Sequence, residues 1–253
     1  MSGVYKHLLE TQRRRGGLFF LLLDPDRPER KHNLALAESA REYGVDVLLV
    51  GGSTIVSPHY NESVDLTRKC ASVPVIIFPG SATQVSRHAD AVLFTSLVSG
   101  RNPNYLIDEQ VKAAPLIKHA GLEVIPTGYM LIDSGALTSV QFVSGTLPIP
   151  RHKNDIARAH ALAAQYLGMK LIYLEAGSGA QSAVPTEMIK AVVEYVDIPV
   201  VAGGGLRTPE SCAERISAGA AGVVVGTRIE NNFDANLLRE MTTAVHAKEP
   251  IPV

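Results

Sequence analysis

Two cysteines, Cys70 and Cys212, are all that the 253 residues contain, and neither has a CxxC partner or a histidine at ligand spacing. That scarcity excludes a disulfide framework and a structural zinc site. It suits a reducing compartment, so a cytoplasmic location is expected. Charge of one sign is lacking too: 24 Lys and Arg stand against 25 Asp and Glu, a net charge of -1. Nucleic acid requires a basic footprint, so no nucleic-acid partner is expected. The longest early apolar run, residues 18–23, is far too short to cross a bilayer, which takes about 20 residues. With no signal-peptide pattern at the N-terminus, a soluble protein is expected. The eight histidines form no HxH or HExxH spacing, which sets His-based metal chemistry aside. Internal repeats and low-complexity tracts are absent.

Glycine is not scarce, and its placement is informative. Three short apolar runs in the last third of the chain end abruptly in glycines. These ends are Tyr173-Leu174-Glu175-Ala176-Gly177-Ser178-Gly179, Ala202-Gly203-Gly204-Gly205, and Val225-Gly226-Thr227. Buried parallel strands read as such runs, and glycines at their ends let backbone amides approach an anion without a Cβ in the way. Any one of them is also consistent with a plain tight turn. Their order, however, matches a (β/α)8 barrel in which the loops after strands 7 and 8 hold phosphate.

The rest of the chain supports that architecture. Strand-like runs occur at 19–23, 47–50, 75–78, 91–94, 123–127 (with an extension toward 131), 171–175, 198–202 and 222–225. Helical patterns alternate with them, as in a parallel sheet with crossover helices. One opens near Pro28 and closes before Gly44, one covers 105–120 across Pro115, one covers 154–167, and one opens at Thr208-Pro209-Glu210. The connection 79–90 has room for at most a very short helix. The Ser/Gly/Pro-rich stretch 133–153 is long enough to be functional. We therefore expect one domain over 1–253, an α/β (β/α)8 TIM-type barrel with its phosphate site at the loops after strands 6, 7 and 8.

Alternation within strands says which polar residues face inward. Leu171, Tyr173 and Glu175 share one face, as do Phe20, Leu22 and Asp24. A carboxylate at the end of an apolar barrel strand is costly to desolvate unless it meets a cation, a donor or a substrate. Asp24 is thus either a turn residue of Asp24-Pro25-Asp26 or a site group, and Glu175 either a rim ion pair or a catalytic group. Gly51-Gly52-Ser53-Thr54 is a fourth glycine-bearing end, close to Asp24 in the barrel.

Leu23-Asp24-Pro25-Asp26, Gly51-Gly52-Ser53-Thr54, Phe78-Pro79-Gly80, Arg101-Asn102-Pro103-Asn104-Tyr105-Leu106-Ile107, the Tyr173-Leu174-Glu175 loop and Gly203-Gly204-Gly205-Leu206-Arg207 together resemble the ordered motifs of the geranylgeranylglyceryl phosphate synthases. Those synthases are in turn similar to bacterial heptaprenylglyceryl phosphate synthases, so the prenyl length stays open. The resemblance implies an ether-forming prenyltransferase of archaeal membrane lipid synthesis, joining a prenyl diphosphate to the 3-hydroxyl of sn-glycerol 1-phosphate. It implies Glu175 and Tyr173 as the catalytic pair. It also implies glycerol phosphate binding by Tyr173, Leu174, Glu175, Ala176, Gly177, Ser178, Gly179, Gly204, Gly205, Gly226 and Thr227. Magnesium (Mg2+) would be held by Asp24 and Ser53 together with substrate phosphates. Ala176 and Thr227 depart from the commoner family pattern. Tyr105, Leu106, Tyr129, Met130 and Leu131 are candidates for an apolar groove. Other phosphate-using barrels, such as sugar-phosphate isomerases and FMN-dependent oxidoreductases, share the cradle but not the Asp24 and Asn102-to-Tyr105 motifs. A homo-oligomer is expected, and peripheral membrane contact is compatible with a lipid product.

Overall fold

The computed structural model describes residues 3–26, 30–231 and 233–246. Eight parallel strands, each hydrogen-bonded to the next and the last to the first, close a barrel in sequence order. They are β1 Leu18–Leu23, β2 Val47–Val50, β3 Val75–Ile77, β4 Ala91–Leu97, β5 Glu123–Leu131, β6 Leu171–Glu175, β7 Val200–Gly203 and β8 Gly222–Val225. The helices are α1 Val4–Arg15, α2 Arg30–Ser39, α3 Tyr60–Cys70, α4 Glu109–Ala120, α5 Ser139–Ser144, α6 Asn154–Tyr166, α7 Thr186–Val193, α8 Pro209–Ser217, α9 Thr227–Asn231 and α10 Ala235–Val245. Among the described residues no helix is long and apolar enough to cross a membrane.

The two-residue period sorts each strand into two cores. Phe20, Leu49, Ile76, Leu93, Tyr173 and Val201 fill the barrel interior. Their neighbours Leu21, Leu48, Ile172, Leu174, Ala202 and Val223 face the helices. Small residues let one helix lie close to the sheet: Ala157, Ala161 and Ala164 of α6 are fully buried, and a Cβ on Gly128 of β5 would sit 2.8 Å from the Ala164 methyl. Helix α8 opens with the capping box implicit in Thr208-Pro209-Glu210, Thr208 and Ser211 each serving the other's backbone amide.

Several expectations need correction. Strand β4 runs three residues further than anticipated, to Leu97, and pairs with β5 over seven positions. The helix before Gly44 ends at Ser39, and a turn carries the chain to Gly44 at φ +82; Pro28, its expected start, lies outside the described residues. The stretch 133–153 is less irregular than its composition suggests, since it contains α5 and a bridge from Ile149 to Ile132.

Helix α1 was not anticipated. It plugs the amino-terminal mouth of the barrel, placing Leu8 in the interior core with Val4 and Tyr5 packed against it. Its first turn is held by the Glu123 carboxylate, which accepts from the amides of Val4 and Tyr5, an anion at the positive end of a helix. Its far end is held by Asp46, whose carboxylate accepts from Arg15 Nη1 at 2.9 Å, from the Phe19 amide at 2.8 Å and contacts His246 Nε2 at 2.8 Å. That buried carboxylate joins α1, β1, β2 and the end of α10. Asp46→Ala would leave a buried amide and a guanidinium unpaired, so we expect a loss of about 2–4 kcal/mol in denaturant unfolding; a loss under about 1 kcal/mol would contradict this role.

Candidate active site

Parallel strands aim all their carboxyl ends at one rim, and one cavity of about 610 Å3 opens there. The glycines behave as their placement suggests. Gly204 and Gly205 adopt φ of +81 and +71, a region that favours glycine. A Cβ on Gly204 would come within 2.5 Å of Glu175 Oε1 and 2.6 Å of the Gly177 amide nitrogen. The loops after β6, β7 and β8 are tied to one another. Ser178 Oγ and Thr227 Oγ1 share a 2.9 Å hydrogen bond. The Arg207 guanidinium donates to the carbonyls of Ala180, Gln181 and Gly205. The result is a fixed, glycine-walled concavity suited to an anion.

Glu175, at the end of β6, is 6 % exposed and accepts a hydrogen bond from the Gly177 amide. Burial pushes its carboxyl above the ordinary range, opposed by the hydrogen bonds from that amide and from the Tyr173 phenol. Tyr173 is 1 % exposed, and its hydroxyl packs where a Cβ on Gly203 would otherwise stand. Burial, and then the Glu175 charge, drive the phenols of Tyr129 and Tyr173 well above 10, so both stay protonated donors. Phe78, Tyr129 and Tyr173 stack around this point with ring centroids 5.2–5.8 Å apart.

Across the mouth, Asp24 and Ser53 line the same cavity. The Asp24 amide donates to Glu230 Oε1 at 2.6 Å, and Asp24 Oδ1 accepts from the Asp26 amide at 3.0 Å. Asp26 in turn accepts from the amides of Val56 and Ser57, binding the loop after β1 to the loop after β2. Asp24 is therefore both a turn residue and a cavity-lining carboxylate. The loops after β2 and β3 cross so closely that a Cβ on Gly51 would overlap the Phe78 carbonyl, and one on Gly80 the Gly52 carbonyl.

The remaining wall is apolar. Val92 and Phe94 of β4 lie on the outward face; no helix is present between β3 and β4, and the fully buried Val92 packs with Ala82 of the connecting loop and with Ala113 and Ile117 of α4, Phe94 and Val85 lying against them. Val92 and Phe94 line a groove together with Leu97, Val85 and, from α4, Ala113 and Ile117.

Of the residues singled out from the sequence, Tyr173, Glu175, Ser178, Gly179, Gly204, Gly205, Gly226, Thr227, Asp24 and Ser53 line the cavity. Leu174 and Ala176 do not: strand alternation turns them into the layer beneath the helices. Gly177 contributes through its amide to Glu175. Of the groove candidates, Tyr105 and Tyr129 reach the cavity, whereas Leu106, Met130 and Leu131 do not. The groove residues on β4 and α4 were missed because they read as ordinary core; the missing helix between β3 and β4 was the available signal.

The PcrB family profile matches residues 9–245. The geranylgeranylglyceryl phosphate synthase of Chitinophaga pinensis is 42% identical over 248 residues, covering 98% of each chain. That of Korarchaeum cryptofilum is 44% identical over 229 residues, covering 90% of this chain and 94% of its own. The crystal structure of (S)-3-O-geranylgeranylglyceryl phosphate synthase from Thermoplasma acidophilum, in complex with its substrate sn-glycerol-1-phosphate, superposes with a TM-score of 0.91 at 35% identity, covering 97% of this chain and 99% of that one. A barrel rim with a glycine cradle, a buried glutamate and an apolar groove thus occurs in a chain that belongs to the PcrB family, among the geranylgeranylglyceryl phosphate synthases.

Proposed function

We propose that this protein transfers a geranylgeranyl group from its diphosphate to the 3-hydroxyl of sn-glycerol 1-phosphate, forming an ether and releasing diphosphate. The observation that carries the reading is the continuity of one cavity from the glycine cradle, past Glu175 and Asp24, into the apolar groove. A sugar-phosphate isomerase or an FMN-dependent oxidoreductase would use the cradle but has no need of such a groove. The similarity to synthases named for this reaction, one of them crystallised with sn-glycerol-1-phosphate, supports the same reading.

The glycerol phosphate would sit with its phosphate against the amides around Gly204, Gly205, Gly226 and Thr227. Glu175 lies beside that cradle, between the two anions, and would orient the glycerol 3-hydroxyl and accept its proton as the new bond forms. The Tyr173 phenol lies beside Glu175 and stays protonated, so it can donate into the site. Its proposed contact with the glycerol phosphate would use the same hydroxyl, which lies against Gly203 at the cradle. The leaving diphosphate departs from an allylic carbon, so the transition state carries cationic character and correct placement of the acceptor matters more than its basicity.

The residues present fit a magnesium ion. Asp24 keeps one carboxylate oxygen clear of the Asp26 amide, and Gly52 approaches that carboxylate with no side chain in the way. No three His, Cys, Asp or Glu side chains cluster as a metal site among the described residues. That suits an ion held by one carboxylate, the Ser53 hydroxyl and substrate phosphates. When bound, magnesium would neutralise the charge of the departing diphosphate.

Asp24→Asn should lower turnover by at least about 100-fold while leaving glycerol phosphate binding close to the wild-type value by calorimetry. Undiminished turnover would remove Asp24 from the site. Glu175→Gln should lower kcat by about 10²- to 10⁴-fold with little change in glycerol phosphate affinity. The same substitution should raise the thermal midpoint at pH 7. Burial raises the folded-state pKa of Glu175 above its unfolded value, so the folded state binds the extra proton and stability is lost as pH rises through that window. The neutral amide escapes this loss. A lowered midpoint would show that the carboxylate stabilises the fold, contrary to this account.

A further inference from the structure

The wall of the groove contains an uncommon turn. Residues Asn104–Asp108 form a π-helical turn in which the Glu109 amide donates to the Asn104 carbonyl, five residues back. Such turns are rare, and the widened ring leaves backbone carbonyls to be satisfied in some other way. Here two side chains do this. Ser96 Oγ donates to the Leu106 carbonyl at 2.7 Å. Gln110 Nε2 donates to the Tyr105 carbonyl at 3.1 Å and to the Thr95 carbonyl at 2.5 Å, bridging β4 to the turn.

Gln110 is buried, and its Oε1 is without a hydrogen-bond partner. Both neighbours of its amide nitrogen are carbonyl oxygens, so a flipped amide would set oxygen against oxygen, and the orientation is fixed. A Leu or Met would fill the volume without a buried orphan acceptor. Gln110 itself lines the cavity, and its amide in addition fixes the register of the turn. Tyr105 within that turn lines the groove, its hydroxyl reaching the Val143 carbonyl at 3.4 Å. Asn102 Nδ2 donates to the Ser144 carbonyl at 2.8 Å, so the same segment also braces α5, and Val143 and Ser144 line the cavity too. Relaxing a π-turn to ordinary helix rotates one side of it relative to the other by about 100°. That rotation would carry Tyr105 out of the groove wall.

We infer that Gln110 and Ser96 are positioning residues that set the length of prenyl chain the groove accepts, by holding the π-register that presents Tyr105. This rests on the prenyl-transfer reading above. Neither side chain takes part in bond formation. Ser96 does not line the cavity at all, so an effect of its substitution on chain length must travel through the turn.

The test uses the full-length protein and the variants Gln110→Met, Ser96→Ala and Ser96→Thr. It measures kcat/KM with farnesyl, geranylgeranyl and heptaprenyl diphosphates, with the KM for glycerol 1-phosphate as a control across the barrel. Gln110→Met and Ser96→Ala should each change the ratio of kcat/KM between geranylgeranyl and the other two donors by about fivefold or more, the scale of one lost hydrogen bond. The glycerol phosphate KM should stay within about twofold. Ser96→Thr, which keeps the hydroxyl, should retain the wild-type ratios. If Gln110→Met fails to fold, Ser96→Ala against Ser96→Thr decides the matter. Active variants with unchanged ratios would overturn this inference alone; a wild-type protein that makes no ether from any donor would overturn it together with the proposed function.

Discussion

The site depends on a carboxylate that is buried but not isolated. Glu175 ends an apolar strand inside a closed barrel, where an unassisted charge would be too costly to keep. The Gly177 amide and the Tyr173 phenol meet it, and the glycines at the end of β7 make room for both. A side chain at Gly203 would displace the Tyr173 hydroxyl, and one at Gly204 would strike Glu175 itself. The glycines after β7 therefore shape the surroundings of Glu175 as well as the concavity beside it. Burial raises the pKa of this carboxyl, which makes its ionised form a stronger base than a solvated carboxylate.

The second constraint is the missing helix. A barrel normally covers each outward strand face with a helix, yet β3 passes to β4 through a loop only. Val92 and Phe94 line the cavity there together with Ala113 and Ile117 of α4. An apolar channel thus starts at the same rim as the anion cradle. One end of the cavity favours phosphate and the other favours hydrocarbon, which is the polarity of a prenyl diphosphate meeting glycerol phosphate.

Much of this could be read before the structure. The eight strands followed from short apolar runs bounded by glycine and proline, because parallel strands buried on both faces leave that mark. Glu175 and Asp24 followed from the two-residue period. The same period, applied to the residues on either side of Glu175, should have removed Leu174 and Ala176 from the cradle, since both must face the helices. Helix α1 escaped because it is polar along most of its length and buries only a short face against the barrel floor. The π-turn is invisible to hydrophobic periodicity; it is specified by Ser96 and Gln110, whose partners are backbone carbonyls brought near by the fold. The groove residues looked like core because each is apolar and most are buried, and only the connection between β3 and β4 distinguishes them.

The central claim is that Glu175 works as an ionised, desolvated acceptor whose pKa lies above the ordinary carboxylate range. The direct measurement is the pH dependence of kcat for the wild type and for Glu175→Gln under saturating substrates. Titration of the substrate phosphates is common to both proteins and cancels in the ratio of the two rates. That ratio should be constant at high pH and fall as pH drops through an apparent pKa above 4.5, the value from which burial displaces this group. A ratio that stays flat from pH 8 down to pH 4.5 would contradict the account.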